Sequence, residues 1–519
     1  MGWDMADVIV VGGGPTGLLL AGELRLAGVD PVVLEAADGA MRRTRSLGLR
    51  GINGRTTQSL RLRGLTEALV RGLTEALARA QDAMFDRLAA EQRGPGEADQ
   101  VHGLVQLLRE NRARGHFGGL PLVDDRADPS GTVDHFLLKQ HVLEQILADW
   151  ATELGVRIRP GCEVVDVVPD GSTVRAVLAD GETVRAPYLV GCDGGRSIVR
   201  KRAGIDFPGT PATMTGRTAV AELADPDAVK SSLHGPRGLL NLSLVPGEIA
   251  TIEFDGGPEE RDAPVTAEEM QDSIRRVSGV DVTITRIQAG IRYSDNTRQA
   301  ATYRQGRVLL AGDAAHVHSP IGGQGLNLGL QDAMNLGWKL GLVARGLAPE
   351  SLLDSYTAER HPVGERVLRN TRAQVALLRP GPQVAALREV LAETLTIPAA
   401  KNHFTAMMNG TDIDYAPNAD HPLTGRFVPS LELTGADPLS ALLRGGQGIL
   451  LDLVDSQEIR DAAEPHADRV SVVSARCSSH GDLAALLIRP DGYVAWAAAD
   501  DDAAGLTGAL TGWFGAAKR

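Results

Sequence analysis

The sequence predicts an α/β fold built around a nucleotide-binding domain, because three glycine-rich segments each follow an apolar run of strand length. These segments lie near Gly12, Gly194 and Gly322, far apart along the chain. Between residues 176 and 290, apolar and polar residues alternate, which is typical of an antiparallel sheet with one covered face. The alternation is clearest at residues 184–190, 239–245, 249–254 and 280–287. We therefore expect a Rossmann-like domain interrupted by a mostly antiparallel β-domain.

The first glycine-rich segment has the pattern of a dinucleotide site. An apolar strand at residues 7–12 leads into GGGPTG at 12–17 and then into an apolar helix at 18–27. Gly12 permits the tight turn, Gly14 lets the backbone approach a pyrophosphate, and Gly17 lets the helix pack on the strand. A second strand at 31–34 ends in Glu35, 23 residues after Gly12, where a carboxylate can bond ribose hydroxyls. An acidic residue there predicts a free 2′-hydroxyl on the ligand, as in FAD or NAD.

The last glycine-rich segment, residues 307–340, predicts a second contact with the same extended ligand. An apolar strand at 308–311 leads into Gly312 and Asp313, and a loop with three glycines at 322–325 opens a helix. The unpaired N–H groups of a helix N-terminus favour a negative group. Asp313 can accept hydrogen bonds from sugar-like hydroxyls. Small residues at 325, 329, 333 and 337 let a flat ligand or another element approach this helix.

The middle segment, YLVGCDGGRSIVR at 188–200, repeats the order of strand, acid and glycines. Its acid is Asp193, and two arginines follow, Arg196 and Arg200. Alone, this pattern would fit a turn before a basic helix. Flanked by the other two segments, it is expected to join the same site.

Together these motifs resemble those of the single-component, FAD-dependent aromatic monooxygenases of the para-hydroxybenzoate hydroxylase type. The likeness rests on GGGPTG, CDGGRSIVR and LAGDAAHVHSPIGGQGLN, in this order and over nearly the whole chain. It implies FAD as the cofactor. The first motif would hold the ADP part, the middle one would serve FAD and the nicotinamide cofactor, and the last would bind the ribityl chain and flavin ring.

The resemblance also implies individual roles toward FAD. Asp313 would bond the ribityl hydroxyls, and backbone N–H groups near Leu326-Asn327 would face the flavin pyrimidine edge, where negative charge develops on reduction. Arg45 matches an arginine near the pyrophosphate, Gln140 a glutamine near the ribityl chain, and Val164 a backbone contact to the adenine. The expected FAD-binding residues are Gly12, Gly14, Pro15, Thr16, Gly17, Glu35, Arg45, Gln140, Val164, Asp193, Gly312, Asp313, Pro320, Gly323, Gly325, Leu326 and Asn327.

Within this family the chain is most similar to bacterial hydroxylases that tailor polycyclic aromatic polyketides of the angucycline and anthracycline type. The likeness is carried by HFGGLPL at 116–122, AGIDFPGT at 203–210, NTRQAATYRQGRVLLAGD at 296–313 and LLDSYTAERHPVG at 352–364. It implies a C-terminal thioredoxin-like domain, with strands near 448–453, 470–473 and 485–488. Because that part holds Cys477 and no C-x-x-C, we expect a structural or dimer-contact role and no dithiol chemistry.

The resemblance implies a monooxygenase that uses O2 and either NADPH or NADH as a transient reductant. It would hydroxylate a polycyclic aromatic polyketide in antibiotic biosynthesis, via a flavin C4a-hydroperoxide. Baeyer–Villiger insertion beside a ketone is an alternative, which a cation beside the flavin would favour. Arg50 and Arg55 are candidates for that cation, and Pro320 for the flavin–substrate boundary. An NAD-linked dehydrogenase and a non-catalytic flavin-binding protein are further alternatives, and no general base is assigned.

The amino-acid composition limits the classes of partner that we expect. A net charge of −13 argues against nucleic acid or an anionic membrane as a partner. Three scattered cysteines predict neither a disulfide framework nor a metal site, and His316 and His318 are expected to pack rather than bind metal. No leader-like segment and no apolar run of about 18 residues is present, so we expect a cytoplasmic protein. A homodimer is compatible with the resemblance.

The expected domains are a first FAD-binding part at 1–175, a substrate-binding β-sheet domain at 176–290, a second FAD-binding part with connecting helices at 291–400, and the thioredoxin-like domain at 401–519. One stretch, Gly64 to Asn111, is longer than in the family and repeats RGLTEAL at 63–69 and 71–77. We favour a surface helical extension. A lid over the substrate entrance, formed by residues 72–99, is the alternative.

Overall fold

The computed structural model describes residues 6–38, 46–72, 74, 75, 78, 113–123, 135–229, 233–242, 247–261, 263–500 and 503–517. Its larger sheets are one mainly parallel sheet, one antiparallel sheet and one mixed C-terminal sheet. This layout confirms the predicted α/β fold class. The predicted extension at 64–111 and its lid alternative lie mostly outside the described residues.

The nucleotide-binding domain is built on a six-stranded sheet. From edge to edge its strands are Arg304–Gln305, Val308–Leu310, Tyr188–Gly191, Val8–Val11, Pro31–Glu35 and Arg157–Pro160. All neighbouring pairs are parallel except the edge pair made by the first two strands. Later parts of the chain flank Val8–Val11 on both sides, so the strand order reverses there. Such a reversal leaves a crevice at the carboxyl ends of the strands.

Two helices that follow glycine-rich loops pack against each other on this sheet. They are the first helix, Pro15–Leu26, and the long helix, Gln324–Ala344. A Cβ built on Gly337 would lie 2.3 Å from Glu23 Cβ, and one built on Gly329 would lie 2.5 Å from Thr16 Oγ1. The stripe of small residues therefore admits the first helix at these positions. A further helix, Gln140–Glu153, also contacts the first helix.

A separate three-stranded sheet corrects one expectation about the inserted domain. It consists of Val164–Asp170, Thr173–Leu178 and Thr183–Ala186. The alternating run at 184–190 divides between this sheet and the strand Tyr188–Gly191 of the parallel sheet. It does not join the inserted sheet, because alternation reports one covered face but does not identify which sheet provides it.

The inserted domain is a five-stranded antiparallel sheet. Its strands, in spatial order, are Leu233–Gly235, Gly238–Leu242, Glu248–Glu253, Thr215–Leu223 and Ile284–Ser294. The helix Ala267–Ser278 covers one face and buries Met270, Ile274 and Val277. Thr266 caps this helix by accepting a hydrogen bond from Glu269 N, and Gly279 ends it in a left-handed conformation at φ 74°.

Smaller elements complete this half of the molecule. A two-stranded ribbon joins Leu49–Ile52 to Phe136–Lys139, and a second one joins Ala113–Phe117 to Leu120–Val123. A three-stranded sheet is formed by Gly209–Thr210, Thr297–Gln299 and His316–Val317. The other helices here are Gly54–Leu62, Ile198–Arg202, Asp354–Leu377, Pro382–Thr394 and Pro398–Asn409, with short 3-10 turns at Gly312–Ala314 and Glu350–Leu353.

The C-terminal domain has a four-stranded sheet in the order Val470–Ser474, Gly448–Asp452, Ala485–Ile488 and Val494–Ala498. The first pair is parallel and the others are antiparallel, as in a thioredoxin-like sheet. Short strands at Leu433–Thr434 and Arg476–Cys477 pair beside it, and its helices are Leu439–Leu442, Gln457–Ala463 and Leu506–Phe514, with 3-10 turns at Leu443–Gly445 and Glu464–His466.

Buried ion pairs fasten this domain to the nucleotide-binding domain. Arg489 donates to Glu359 at 2.6 Å, and Arg63 donates both to Glu23 at 2.5 Å and to the carbonyl oxygen of Leu443 at 2.8 Å. All four charged side chains are nearly inaccessible. The interface between the two domains is therefore as buried as a protein core, and its charged side chains are paired there.

Within the described part of the chain, no helix combines the length and the apolar character needed to cross a membrane.

Candidate functional site

A cavity of about 750 Å3 lies at the carboxyl ends of the parallel strands, and residues from all three glycine-rich segments line it. Segments separated by hundreds of positions in the chain therefore meet at one site. The residues around the cavity are Val11, Gly12, Gly14, Pro15, Thr16, Leu34, Glu35, Ala36, Ala37, Leu49, Arg50, Gly51, Gln140, Cys162, Glu163, Val164, Cys192, Asp193, Gly194, Arg196, Ile198, Ala311, Asp313, His318, Pro320, Gly323, Gly325 and Leu326.

The N-terminal end of the cavity is shaped by backbone. Gly12 has φ 106°, and a Cβ built there would lie 2.3 Å from the carbonyl oxygen of Cys192. A Cβ on Gly17 would lie 2.0 Å from the carbonyl oxygen of Gly12. Gly14 precedes the first helix and offers no side-chain cap, so the first N–H groups of that helix keep their free hydrogen-bonding capacity. Such an end suits a phosphate group.

Glu35 closes this end from the side. Its carboxylate accepts hydrogen bonds from Gly13 N at 2.6 Å and from Ala37 N at 2.8 Å, and the residue is 4% exposed. Two of its acceptor positions hold the glycine loop against the second strand. Glu35 also lines the cavity, where a carboxylate can receive ligand hydroxyls.

The opposite end of the cavity is formed by the start of the long helix and by Asp313. Gly323 precedes that helix in a left-handed conformation at φ 65°, again without a side-chain cap. The N-termini of two helices therefore border the same cavity. Although the Asp313 side chain is open to the cavity, desolvation by the surrounding protein raises its pKa, against the opposing charges of His316, Arg261 and Arg50. An elongated ligand with anionic and hydroxyl groups matches this pattern.

The segment that carries Arg50 is tied to the long helix by one side chain. Asn327 donates to the carbonyl oxygen of Gly51 at 2.8 Å and accepts from Asn53 N at 3.0 Å. Arg50 itself donates to Ser46 Oγ at 2.6 Å. Burial lowers the pKa of Arg50, while Glu248, Tyr293 and Asp313 act in the opposite direction. A guanidinium group is thus fixed at the cavity wall.

The middle segment uses its acid to hold its own backbone. Asp193 accepts from Ser197 Oγ at 2.5 Å and from Ile198 N at 2.7 Å, and burial raises its pKa. Arg200 donates to the carbonyl oxygens of Ala314 at 2.8 Å and Gly195 at 3.0 Å, and its guanidinium lies 3.6 Å from the ring centroid of Phe207. These contacts join the middle segment to the loop that carries Asp313.

A second cavity of about 630 Å3 adjoins the first and shares Arg196, Asp313, His318 and Pro320 with it. Its wall is rich in cations: Arg196, Arg200, Lys201, Arg261 and Arg298. Burial lowers the pKa of His318 to about 4, so this ring is neutral at pH 7. His318 Nδ1 lies 2.7 Å from the carbonyl oxygen of Ser319, and its Nε2 has no hydrogen-bond partner in the described structure.

The structure brings most of the predicted site residues to the first cavity. Three supporting residues, Gly17, Gly312 and Asn327, do not line it but lie directly behind its wall. Arg45 lies outside the described residues. The structure corrects the expectation for Arg55. This arginine is buried away from the cavity, 4.0 Å from the ring centroid of Phe427, and donates to the carbonyl oxygen of Thr411 at 3.2 Å.

Sequence reasoning missed Asp332. This residue of the long helix is fully buried and accepts from His316 Nε2 at 2.7 Å and from Arg360 Nε at 2.8 Å. A signal was present, since an aspartate interrupts a long apolar and small-residue helix. His316 therefore contacts a carboxylate in the interior, and the described residues contain no group of three or more side chains suited to a metal ion.

Comparison with known proteins gives the family. The family model described as FAD binding domain matches residues 5–371, and the one described as aromatic-ring hydroxylase, C-terminal, matches residues 421–517. The 12-dehydrotetracycline 5-monooxygenase/anhydrotetracycline 6-monooxygenase of Streptomyces rimosus is 38% identical, over 98% of this chain and 99% of its own.

Two solved structures support the same conclusion. An anhydrotetracycline hydroxylase from Streptomyces rimosus superposes with a TM-score of 0.82 at 37% identity, over 99% of this chain and 100% of its own. An aromatic hydroxylase from angucycline biosynthesis gives a TM-score of 0.82 at 36% identity, over 99% and 100% of the two chains. On these matches and on the three converging motifs, the chain belongs to the FAD-dependent aromatic-ring monooxygenases.

Proposed function

We propose that this chain uses NAD(P)H and O2 to hydroxylate a polycyclic aromatic polyketide in antibiotic biosynthesis. The observation that carries the proposal is the meeting of all three glycine-rich segments at one cavity, beside a second cavity of comparable size. The relatives named for tetracycline and angucycline chemistry supply the substrate class. A cytoplasmic location and a homodimer stay predictions.

The residues of the first cavity fit FAD. Free N–H groups at the start of the first helix would face the pyrophosphate, and Glu35 would receive hydroxyls of the adenosine ribose. Asp313 would accept from the ribityl hydroxyls, and the N-terminus of the long helix would stabilise negative charge on the flavin ring. When bound, FAD supplies the redox chemistry, since it accepts hydride and activates dioxygen.

The second cavity suits the reductant. Four cations at its wall, Arg196, Lys201, Arg261 and Arg298, favour the phosphate groups of NADPH or NADH. The residues shared with the first cavity, including Pro320, would let the nicotinamide reach the flavin. A neutral His318 at this boundary adds no further positive charge.

The second face of the inserted sheet suits a flat apolar substrate. The strand pairing places Thr218, Ile252, Ile291 and Tyr293 on the face opposite the helix Ala267–Ser278. Burial raises the pKa of Tyr293, so its hydroxyl stays protonated and can donate a hydrogen bond to a substrate oxygen. It is poorly suited to be a general base, and no other base is assigned.

Baeyer–Villiger insertion is the second candidate function, and Arg50 is the observation that favours it. Ester formation requires negative charge beside the cofactor, which a fixed cation stabilises. Arg50 lines the first cavity, but the opposite charges of Glu248 and Asp313 act on it and weaken that effect. We therefore favour hydroxylation over Baeyer–Villiger insertion.

One assay separates these functions. Purified protein containing FAD is supplied with NADPH or NADH, 18O2 and a panel of polycyclic phenols and quinones. Hydroxylation predicts substrate-stimulated NAD(P)H oxidation and a product that gains one labelled phenolic oxygen. A labelled lactone or ester would instead establish Baeyer–Villiger insertion. Oxidation of NAD(P)H without O2 uptake would indicate a dehydrogenase, and FAD binding without any stimulated oxidation would indicate a non-catalytic flavin-binding protein.

A further inference from the structure

The loop that carries Asp313 is held from behind by one buried carboxylate. Asp332 is fully buried in the long helix, and it accepts from Gly312 N at 3.1 Å and from His316 Nε2 at 2.7 Å. Its third donor is Arg360 Nε at 2.8 Å. Two of the three hydrogen bonds therefore reach the loop between the strand Val308–Leu310 and the strand His316–Val317.

Hydrogen bonds from outside the loop hold every second residue of it, from Gly312 to His316. Gly312 and His316 are bound to Asp332, and the carbonyl oxygen of Ala314 accepts from Arg200 at 2.8 Å. The side chain between the first two tethered positions, Asp313, lines both cavities. Tethering on either side fixes the direction in which this side chain points.

The charge of Asp332 is balanced inside the protein. Burial opposes its ionisation, but the charges of Arg360 and His316 outweigh burial and hold the pKa of Asp332 below its usual range. Arg360 is also fully buried and donates to the carbonyl oxygen of Leu328 at 3.1 Å and to Tyr415 Oη at 3.0 Å. The carboxylate is thus an ionised acceptor with a fixed position.

We infer that Asp332 is a positioning residue for the flavin: it holds the Gly312–His316 loop so that Asp313 meets the ribityl chain in a single orientation. Neither the family match nor the names of the relatives assigns this role. The inference rests on FAD binding in the first cavity. It does not depend on which substrate is oxidised.

The test compares Asp332→Asn with Glu359→Gln in the full-length chain. Glu359 precedes Arg360 in the same helix and is a buried carboxylate with its own cations, Lys339 and Arg489, but it makes no contact with the loop. Both variants should lose thermal stability. Only Asp332→Asn should weaken FAD binding, by about tenfold to a hundredfold, because charge-assisted hydrogen bonds behind the site are lost. The measurements are the FAD dissociation constant from flavin fluorescence and the visible spectrum of bound FAD, taken well below each Tm.

A second pair of variants decides the matter if Asp332→Asn does not fold. His316→Ala removes one donor to Asp332 and should weaken FAD binding by several fold, whereas His316→Gln keeps an N–H near the Nε2 position and should recover most of the loss. Wild-type affinity and spectrum in folded Asp332→Asn, or in His316→Ala, would overturn the inference. An equal loss in Glu359→Gln, or no recovery in His316→Gln, would overturn it as well. A wild-type protein that binds FAD but oxidises no NAD(P)H would end the proposed function and leave this inference standing.

Discussion

The two ends of the first cavity are built in different ways. The nucleotide end uses backbone: glycines at 12 and 17, free N–H groups of the first helix, and Glu35 bound to the same loop. The flavin end combines the N-terminus of the long helix with side chains: Asp313 lines the cavity, and Asp332, which is paired with Arg360, holds the Asp313 loop from the interior.

The two ends also differ in how far apart in the sequence their interacting residues lie. The glycine loop and the carboxylate that shape the nucleotide end lie within one short stretch of chain, between Gly12 and Glu35, although Cys192 packs on Gly12 and Val164 also lines the cavity. The flavin end depends on Asp332 and Arg360, which join it to a second helix and to Tyr415. We conclude that the nucleotide end can be recognised from a local motif, whereas the flavin end needs the folded chain.

The buried charges at the interface with the C-terminal domain should give the largest effect. Arg489→Met leaves Glu359 and Asp491 buried without their guanidinium partner, so we expect a loss of about 3–5 kcal/mol in the free energy of unfolding. Urea denaturation measures it. Arg275→Met removes an exposed arginine that pairs with Asp272, where solvent screens the two charges, and should leave the free energy of unfolding nearly unchanged. Equal effects in the two variants would show that the interior charges do not support the fold.

A single methyl group added at Gly17 should disrupt the nucleotide end of the cavity. In Gly17→Ala, the added Cβ would lie 2.0 Å from the backbone oxygen of Gly12, so the loop must move away from the pyrophosphate position. We expect FAD affinity to fall about a hundredfold, which corresponds to about 3 kcal/mol. The ratio of flavin to protein absorbance after gel filtration reports it. Gly508→Ala, whose Cβ meets nothing within 4 Å, is the matched control and should keep its FAD. Retention of FAD by both variants would contradict the close packing.

The flavin end should respond to pH through Asp313. Desolvation by the protein around the cavity raises the pKa of this carboxyl, so a fraction of it is protonated above the pH at which an ordinary aspartate ionises. The ionised form is the better acceptor for ribityl hydroxyls, so FAD affinity should increase as pH rises through the raised pKa. Asp313→Asn should lower affinity about tenfold and remove this pH dependence. FAD affinity is measured by flavin fluorescence at a series of acid pH values. If Asp313 does not contact the cofactor, the wild type and Asp313→Asn should show the same dependence of affinity on pH.

The smallest effect is expected from Arg50, which the long helix positions through Asn327. If the chain hydroxylates its substrate, Arg50→Met should slow turnover by less than about tenfold and leave the product unchanged, since no anion beside the cofactor needs this cation. Product analysis by mass spectrometry with 18O2 checks it. A labelled lactone in the wild type that disappears in the variant would instead assign Arg50 to Baeyer–Villiger chemistry.

Much of the fold could be predicted from the sequence, because the signals were local. The strands Val8–Val11 and Pro31–Glu35 lie within one residue of the predicted bounds. The first helix starts at Pro15 rather than at residue 18, because a proline fits the first turn of a helix. The C-terminal strands Gly448–Asp452 and Ala485–Ile488 also lie close to their predicted positions.

Contacts between residues that lie far apart in the sequence could not be predicted in this way. The alternation at 184–190 predicts a strand of the inserted domain, but this run divides between two other sheets. Arg55 lies five residues after Arg50, yet a helix start between them turns it toward Phe427. Asp332 finds its donors at His316 and Arg360, on different elements, and no spacing rule connects them.

A crystal structure of the full chain with FAD tests the central claim most directly. It should show one FAD molecule spanning the first cavity, with its pyrophosphate at the N-terminus of Pro15–Leu26, its ribityl chain on Asp313 and its ring at the N-terminus of Gln324–Ala344. A cofactor that occupies only one end, with Asp313 or the Gly12–Gly17 loop unused, would contradict the account.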